Sequence, residues 1–194
     1  MKSKHLIFVI ALFVTCSGCD VAKQAGSAYN LTQCKFSYNT ITNLSLAGTN
    51  LSKGLTAANI LQLTSLLSGN ASSVPLNFTL NLNVANPNQS AASLNGLQYT
   101  LIIDDVQFTT GAINQAFNVA AGETQVLPLS IGLDLATLLK DESKNAILSI
   151  AKNFLGIGSR QSNVSFQLKP TFDIGGYSLA SPAFIPVNFS FGGK

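Results

Sequence analysis

The residue types that most often carry out acid–base chemistry are scarce in this chain of 194 residues. Its single histidine is His5, although histidine is the commonest general base and a frequent metal ligand. Asp104 and Asp105 are adjacent carboxylates at the end of a predicted strand. Neighbouring residues of a strand point to opposite faces, so these two carboxylates cannot act together as an acid and a base. We interpret them as a polar strand end, and the sequence predicts no catalytic residue, no metal site and no cofactor.

The first 18 residues have the pattern of a secretory signal. A basic start is followed by an apolar run over residues 6–14, which is shorter than the about 20 residues that cross a bilayer. The small residues Ser17 and Gly18 come directly before Cys19. This ending resembles a bacterial lipobox, in which the cysteine is acylated and becomes the first residue of the mature protein. We therefore expect residues 1–18 to be a signal peptide and Cys19 to be the lipidation site.

This ending departs from the usual lipobox at one position, because Cys16 stands where Leu is usual. Two alternatives therefore stay open: acylation of Cys16, and an ordinary cleaved signal without acylation. After the signal, residues 19–34 are mainly small and polar, and we expect a short lipidated tether there, followed by a folded domain over residues 35–194. Several acyl chains hold a protein stably on a membrane. We expect a lipoprotein of the bacterial cell envelope, on either the inner or the outer membrane.

Charge and cysteine content exclude several classes of function. Without residues 1–18, the chain keeps nine basic and eight acidic residues, and no basic cluster is interleaved with aromatic residues. Nucleic-acid binding has no electrostatic basis here. Cys34 is the remaining thiol after lipidation of Cys19, so no internal disulfide forms. We expect Cys34 to be a buried, inert side chain because no basic neighbour lowers its pKa.

The clearest structural pattern lies between residues 75 and 111. Two predicted strands alternate between apolar and polar residues, as strands with one buried face do. The tripeptide Asn86-Pro87-Asn88 separates them and favours a turn, because Pro cannot donate a hydrogen bond to a sheet. The apolar residues of the first strand are Leu76, Phe78, Leu80, Leu82 and Val84, and those of the second are Leu97, Tyr99, Leu101 and Ile103.

This arrangement resembles the core of the group 2 late embryogenesis abundant proteins, also called the water stress and hypersensitive response domain. In that family, an alternating strand ends in a turn like Asn86-Pro87-Asn88, and a second strand with a step like Gly96-Leu97 to Tyr99 follows. The resemblance implies an immunoglobulin-like or fibronectin-like sandwich with an added helix. It also implies a role in protection against stress or desiccation, without enzymatic activity.

The rest of the chain predicts an all-β fold with two added helices. Helical periodicity covers Thr56 to Leu67 and, after a cap at Asp134, Leu135 to about Leu155. Alternation predicts further strands, and we expect Pro170 to stop one of them. About seven strands with one-sided alternation are typical of a two-sheet antiparallel β-sandwich.

Two hypotheses of different classes follow. The first is a non-enzymatic, membrane-anchored envelope lipoprotein that protects membrane or envelope proteins under water stress. The alternative is an interaction or ligand-carrying module of an envelope assembly, with an envelope protein as a partner. An exposed apolar patch on the order of several hundred Å², or a deep apolar cavity, would favour the alternative. The many Asn, Ser and Thr residues suit protection during drying, and they equally suit the surface of a sandwich with few charges. An enzyme is disfavoured because acid–base residues are missing.

Overall fold

Alternating apolar side chains build this protein as two β-sheets that face each other. The computed structural model describes residues 19–51, 71–138, 144–154 and 158–192, together with residues 56, 58, 61 and 65. The helices of these regions are α1 (residues 19–33), α2 (Leu135–Leu138) and α3 (Lys144–Phe154). The strands are β1 (Lys35–Leu46), β2 (Thr49–Asn50), β3 (Pro75–Ala85), β4 (Ala92–Leu94), β5 (Gly96–Ile103), β6 (Val106–Ile113), β7 (Phe117–Val119), β8 (Thr124–Asp134), β9 (Gln161–Ile174), β10 (Tyr177–Ala180) and β11 (Ile185–Gly192).

Every strand pairing recorded in the described part of the chain is antiparallel. Sheet I has the strand order β2–β1–β3–β8. Sheet II has the order β10–β9–β5–β6, with β11 also beside β9, and β4 and β7 form a separate pair. The two sheets face each other across the core. Where β1 meets β11, the exposed ring of Tyr38 stacks on Phe189 with centroids 4.2 Å apart. The expected all-β, two-sheet antiparallel arrangement is therefore present.

The alternation predicted for β3, β5 and β8 is confirmed. Side chains of these strands point alternately into the core and away from it, so every second residue is apolar and buried. Leu80 and Leu82 are almost or completely buried, and Asn81 between them is partly exposed. The buried apolar residues of the three strands are Phe78, Leu80, Leu82, Val84, Leu97, Tyr99, Leu101, Ile103, Leu127, Leu129 and Ile131.

The structure contains eleven strands in its described residues, rather than about seven. The strands β2, β4, β7 and β10 have only two to four residues. A strand of two to four residues is too short to show the alternation from which strands are predicted in a sequence. The prediction of the number of strands was wrong for this reason.

The prediction that Pro170 stops a strand is also wrong. β9 runs through Pro170, which pairs with Leu97 of β5. On the other side of β9, β11 ends its pairing at Leu168, and β10 begins its pairing at Thr171. Pro170 therefore lies where the neighbour changes, and its carbonyl oxygen accepts a hydrogen bond from the amide of Ser181 at 2.7 Å. A missing N–H costs little at a position where no ladder hydrogen bond is required.

The segment expected to be a tether is mostly helical. Residues 19–33 form α1, in which Leu31 is completely buried and Ala28 is 8% exposed. Val21, Ala28 and Leu31 are spaced by seven and three residues, which places them on one face of a helix. Small and polar residues between them hid this periodicity. Because α1 packs against the core, residues 19–34 are part of the folded domain and not a separate linker.

The two helices predicted after β2 and β8 are present where the structure describes them. Residues 58, 61 and 65 are helical, whereas the apolar residues on which the first prediction rested lie outside the described part. α2 and α3 both fall within the predicted second helix. Asp134 caps α2, because its Oδ1 accepts a hydrogen bond from the amide of Ala136 at 2.9 Å. Within the described ranges, no helix combines the length and apolar content needed to cross a membrane.

Candidate functional site

The turn predicted at Asn86-Pro87-Asn88 follows the last residue of β3, and the side chain of Asn86 is its centre. This side chain is 2% exposed. Its Nδ2 donates to the carbonyl oxygens of Ser90, Val119 and Ala120 at 3.0, 3.1 and 3.0 Å. A buried amide with this many partners replaces the water that these carbonyl groups would otherwise need.

The other end of the same amide binds Asn88. Oδ1 of Asn86 accepts hydrogen bonds from the main-chain amide of Asn88 at 3.0 Å and from its side-chain Nδ2 at 2.7 Å. The Nδ2 of Asn88 also donates to the carbonyl oxygen of Asn30 in α1 at 2.9 Å. The turn therefore joins α1, β3 and the end of β7. Its residues are fully engaged with the protein itself, which is the geometry of a structural element rather than of an open binding site.

The second feature is the outer face of sheet I, which we call the polar face. It consists of the outward-pointing positions of β1, β3 and β8, including the two bulges of β1. At the ends of these strands the same face carries Lys35, opposite Ala85, and Asp134, opposite Pro75. The polar face is the part between them, where no described position carries a charged side chain. The residues are Ser37, Asn39, Thr40, Thr42, Asn43, Ser45, Asn77, Thr79, Asn81, Asn83, Val126, Pro128, Ser130 and Gly132.

Hydrogen bonds between side chains connect the strands across the polar face. Nδ2 of Asn81 in β3 donates to the hydroxyl oxygens of Thr40 and Thr42 in β1 at 3.2 and 3.1 Å. Nδ2 of Asn39 donates to Oδ1 of Asn83 at 2.7 Å. Amide and hydroxyl groups have donors and acceptors left over after such bonds, and these remain available to solvent or to a ligand.

The third feature is an apolar cavity between the sheets, at the end of the sandwich where β5 turns into β6. Its volume is about 60 Å³. Both sheets and the helices α2 and α3 contribute to its wall, and every described residue of this wall is apolar. The lining residues are Ile41, Leu46, Leu76, Phe78, Leu80, Leu101, Ile103, Phe108, Leu133, Leu135, Ile150, Val164, Phe189 and Phe191.

The adjacent carboxylates, expected at a polar strand end, lie directly after β5 in the two-residue turn that leads to β6. Asp104 and Asp105 have φ angles of +48° and +66°. This left-handed conformation suits the tight turn of a β-hairpin, and Asp tolerates it better than most residues. Oδ1 of Asp104 accepts a hydrogen bond from the amide of Asn163 at 2.8 Å. This hydrogen bond connects the beginning of β9 to the β5–β6 hairpin, so the carboxylate has a structural role.

The two cysteines of the described chain have opposite environments. Cys19 is exposed and Cys34 is buried, and neither forms a disulfide. Burial raises the pKa of the Cys34 thiol above its ordinary value, and its Sγ contacts the carbonyl oxygen of Asn30 at 3.4 Å. A buried thiol with a raised pKa is a poor nucleophile. The prediction of an inert Cys34 is consistent with this environment, while the lipidation of Cys19 stays a prediction.

Residues that could hold a metal ion are not brought together in the described part of the chain, where no group of three or more His, Cys, Asp or Glu side chains forms. Among the same residues, every buried side-chain nitrogen or oxygen has a hydrogen-bond partner. The polar atoms of the interior are therefore used for folding. Of the three features described above, the polar face and the apolar cavity remain open to a ligand.

A comparison with protein families identifies the family to which this chain belongs. Residues 81–183, which are more than half of the sequence, match the family described as "Late embryogenesis abundant protein". The chain belongs to this family. The match begins within β3 and ends between β10 and β11, so it includes the turn at Asn86 and most of sheet II. The resemblance inferred from the strands around this turn is confirmed.

Several solved structures resemble this late embryogenesis abundant protein. A protein from Archaeoglobus fulgidus has 15% sequence identity and a TM-score of 0.40, and the alignment covers 81% of this chain and 98% of that one. AT1g01470 from Arabidopsis thaliana has 12% identity and a TM-score of 0.43, with 60% and 70% of the two chains covered. A candidate late embryogenesis abundant protein, At2g46140.1, has 14% identity and a TM-score of 0.39, with 98% and 84% covered. No curated protein matches this sequence.

Sequence reasoning identified some of these features and missed others. The sequence predicted that a strand ends at Asn86, but it did not predict that the side chain of Asn86 is buried. A signal existed, since Asn differs from other turn residues in having both a donor and an acceptor at the end of a short side chain. The cavity had no signal in the sequence, because the residues that line a void are the same residue types that fill a core.

Proposed function

We propose that this late embryogenesis abundant protein is a non-enzymatic lipoprotein of the bacterial cell envelope that protects membranes or envelope proteins when water is lost. Acylated Cys19 anchors it, and the sandwich, of an immunoglobulin- or fibronectin III-like class, acts at the membrane surface. The observation that carries this proposal is the polar face. Family membership supports the water-stress role, and two antiparallel sheets facing each other support the class of the sandwich.

The physical reason lies in the chemistry of amides and hydroxyls. These groups donate and accept hydrogen bonds without a counter-ion, so they can replace water around sugars, lipid headgroups and protein surfaces. On the polar face, Asn39, Asn81 and other side chains are held in place by bonds to their neighbours. A surface that is already ordered loses less side-chain entropy when it binds another surface.

A drying experiment tests the proposal. Purified protein is dried with a labile enzyme or with liposomes that contain a fluorescent dye, and recovered activity or retained dye is measured after rehydration. An equal mass of an unrelated β-sandwich is the control, because any soluble protein gives some protection. We expect more protection from the late embryogenesis abundant protein, and equal protection by the control would contradict the proposal.

A pair of matched variants tests the polar face itself. Val126→Lys with Ser130→Lys places two charges on the exposed outer face of β8. Gln98→Lys with Gln107→Lys places two charges on exposed positions of sheet II. We expect protection to fall in the first variant and to remain in the second. An equal effect of the two would show that total charge, and not the polar face, matters.

A second candidate function, binding of a small apolar ligand, is favoured by the cavity between the sheets. Its wall is apolar throughout, and apolar cavities bind apolar molecules. The volume of about 60 Å³ is well below the about 150 Å³ of a cavity that admits benzene. A ligand larger than a few carbon atoms would have to separate the sheets, and for this reason ligand carriage ranks second.

Titration with decanoic acid tests the second candidate. Saturable binding that Val164→Phe weakens at least tenfold would support it, because the larger side chain would occupy the cavity. Val187→Leu, at a buried position outside the cavity wall, is the control for general disturbance of the core. Binding that is absent, or that both substitutions change equally, would exclude the cavity as a ligand site.

A further inference from the structure

The edge of sheet II beside α1 carries exposed apolar side chains. Tyr177 and Leu179 of β10 are 75% and 51% exposed, and Val21 of α1 is 40% exposed. Tyr177 pairs with Ile174, and Leu179 pairs with Phe172, which is buried. Residues directly opposite each other in a sheet point to the same side. Tyr177 and Leu179 therefore lie on the core-facing side of sheet II, at its edge, where no other residue of the described chain covers them.

α1 is fixed to the turn of this same hairpin. The side-chain Oε1 of Gln24 accepts a hydrogen bond from the main-chain amide of Gly175 at 2.9 Å. Val21, one helical turn earlier, lies so close that a β-carbon placed on Gly175 would be 3.6 Å from its Cγ2. Gly175 and Gly176 have φ angles of +59° and +83°, which suit a two-residue hairpin turn. The position of α1 relative to β10 is thus defined by contacts at the turn.

Cys19 lies only two residues before Val21. A helix rises about 1.5 Å per residue, so Cys19 is about 3 Å from Val21 along the axis of α1. The chain before Cys19 contains the apolar run of residues 6–14. Whether an acyl group on Cys19 or this apolar run holds the protein, the membrane-seeking part joins the domain beside the β9–β10 turn.

We infer that Val21, Tyr177 and Leu179 form a docking surface for the lipid bilayer, and that the domain rests on the membrane with the β9–β10 turn against the lipid headgroups. Tyr suits this place because its ring is apolar and its hydroxyl is polar, as in the aromatic belts of membrane proteins. The inference rests on the proposed anchoring at Cys19. It adds a fixed orientation, because α1 is packed on the core at Leu31 and is not a flexible tether.

The charges near the turn support an apolar contact rather than an electrostatic one. Asp20 and Lys23 lie on the same turns of α1, and Asp173 precedes the β9–β10 turn. The two acidic groups and one basic group leave a net charge of −1, so attraction to anionic lipids does not contribute to docking. Docking through apolar side chains should therefore be almost independent of salt.

The chain has no Trp, so a single introduced Trp reports its own depth in a bilayer. The full chain carrying Tyr177→Trp is expressed in bacteria, purified from the membrane fraction and reconstituted into phosphatidylcholine vesicles that contain lipids with brominated acyl chains. The matched control is Tyr29→Trp, on α1 and 66% exposed. This position lies about 15 Å from Cys19 along the helix axis. We expect bromine to quench the Trp at position 177 at least twice as strongly as the Trp at position 29, in both low and high salt. Equal or weak quenching at both positions would overturn the inference.

Mass spectrometry of the purified protein separates the two proposals. If Cys19 carries no acyl group, the proposed anchoring fails, and the thiol of Cys19 is then coupled to a maleimide phospholipid in the same vesicles. Stronger quenching at position 177 in this arm would support the docking surface alone. Absence of a difference between the two positions would overturn it, whatever the state of Cys19 in the cell.

Discussion

The side-chain amide of Asn88 donates a hydrogen bond to the main-chain carbonyl oxygen of Asn30, with 2.9 Å between Nδ2 and O. The same Nδ2 donates to Oδ1 of Asn86 at 2.7 Å. Asn86 in turn donates to the carbonyl oxygens of Val119 and Ala120. Two asparagine side chains on either side of Pro87 thus connect α1 to the end of β7.

Asn86→Ala should lower the free energy of unfolding by about 2–4 kcal/mol, because it leaves buried carbonyl groups without a donor. Urea unfolding followed by circular dichroism measures this change. Asn118→Ala, at an exposed position of β7, is the control and should cost less than about 0.5 kcal/mol. Similar losses of stability at the two positions would mean that the buried amide of Asn86 stabilises the protein no more than an exposed one does.

The register of β3 can be tested at two neighbouring residues. Leu82 has no exposed surface, and Leu82→Ala should cost about 2–5 kcal/mol, as large-to-small changes in a core do. Asn81 is on the polar face, and Asn81→Ala should cost well under about 1 kcal/mol. Chemical denaturation of both variants gives the comparison. Equal costs would contradict the pairing of Leu82 with Tyr38 and Leu127.

Filling the cavity should stabilise the protein. A cavity of about 60 Å³ costs about 1.4 kcal/mol at roughly 24 cal/mol per Å³. Val164→Ile adds one methyl group at the cavity wall and should raise the free energy of unfolding by about 0.5–1 kcal/mol. Val187→Ile, in a packed part of the core, should lower it instead. Thermal unfolding shows whether each variant is more or less stable than the unchanged protein. A loss of stability in both variants would indicate that the cavity has no room for a methyl group.

The anchoring prediction concerns Cys19, which is exposed in the structure. Cys19→Ala should abolish labelling with a radioactive fatty acid and release the protein from membranes during fractionation without detergent. Cys16→Ala is the matched control and should retain both labelling and attachment. A Cys19→Ala protein that still sediments with membranes would contradict acylation at this residue, or would show that the signal is not cleaved.

The sequence was most informative where one physical cause dominates. The alternation of β3 and β8 follows from one buried and one solvated face, and it could be predicted residue by residue. The course of β9 through Pro170 could not, because it depends on which strand lies beside each residue. The helix α1 was missed since its core contacts are made by few apolar residues, such as Ala28 and Leu31, among polar ones.

The candidate site was less predictable than the fold. The abundance of Asn and Thr was visible in the sequence, but the confinement of charge to the ends of one face requires the register of β1, β3 and β8. The approach of α1 to the β9–β10 turn, through Val21 and Gln24 at Gly175, joins residues that are far apart in the chain. Only the packing of α1 on the core brings them together, and no local pattern encodes that contact.

The polar face has a consequence for the behaviour of the protein as its surroundings change. When a compartment loses water, its salts become concentrated, and the distance over which charges act falls from about 10 Å at 0.1 M to about 3 Å at 1 M ionic strength. Contacts that depend on ion pairs weaken in such brine. Between Lys35 and Asp134 at its ends, the face formed by β1, β3 and β8 carries no charged side chain. The affinity of this polar face for neighbouring surfaces should therefore persist through the stage at which charged surfaces lose theirs.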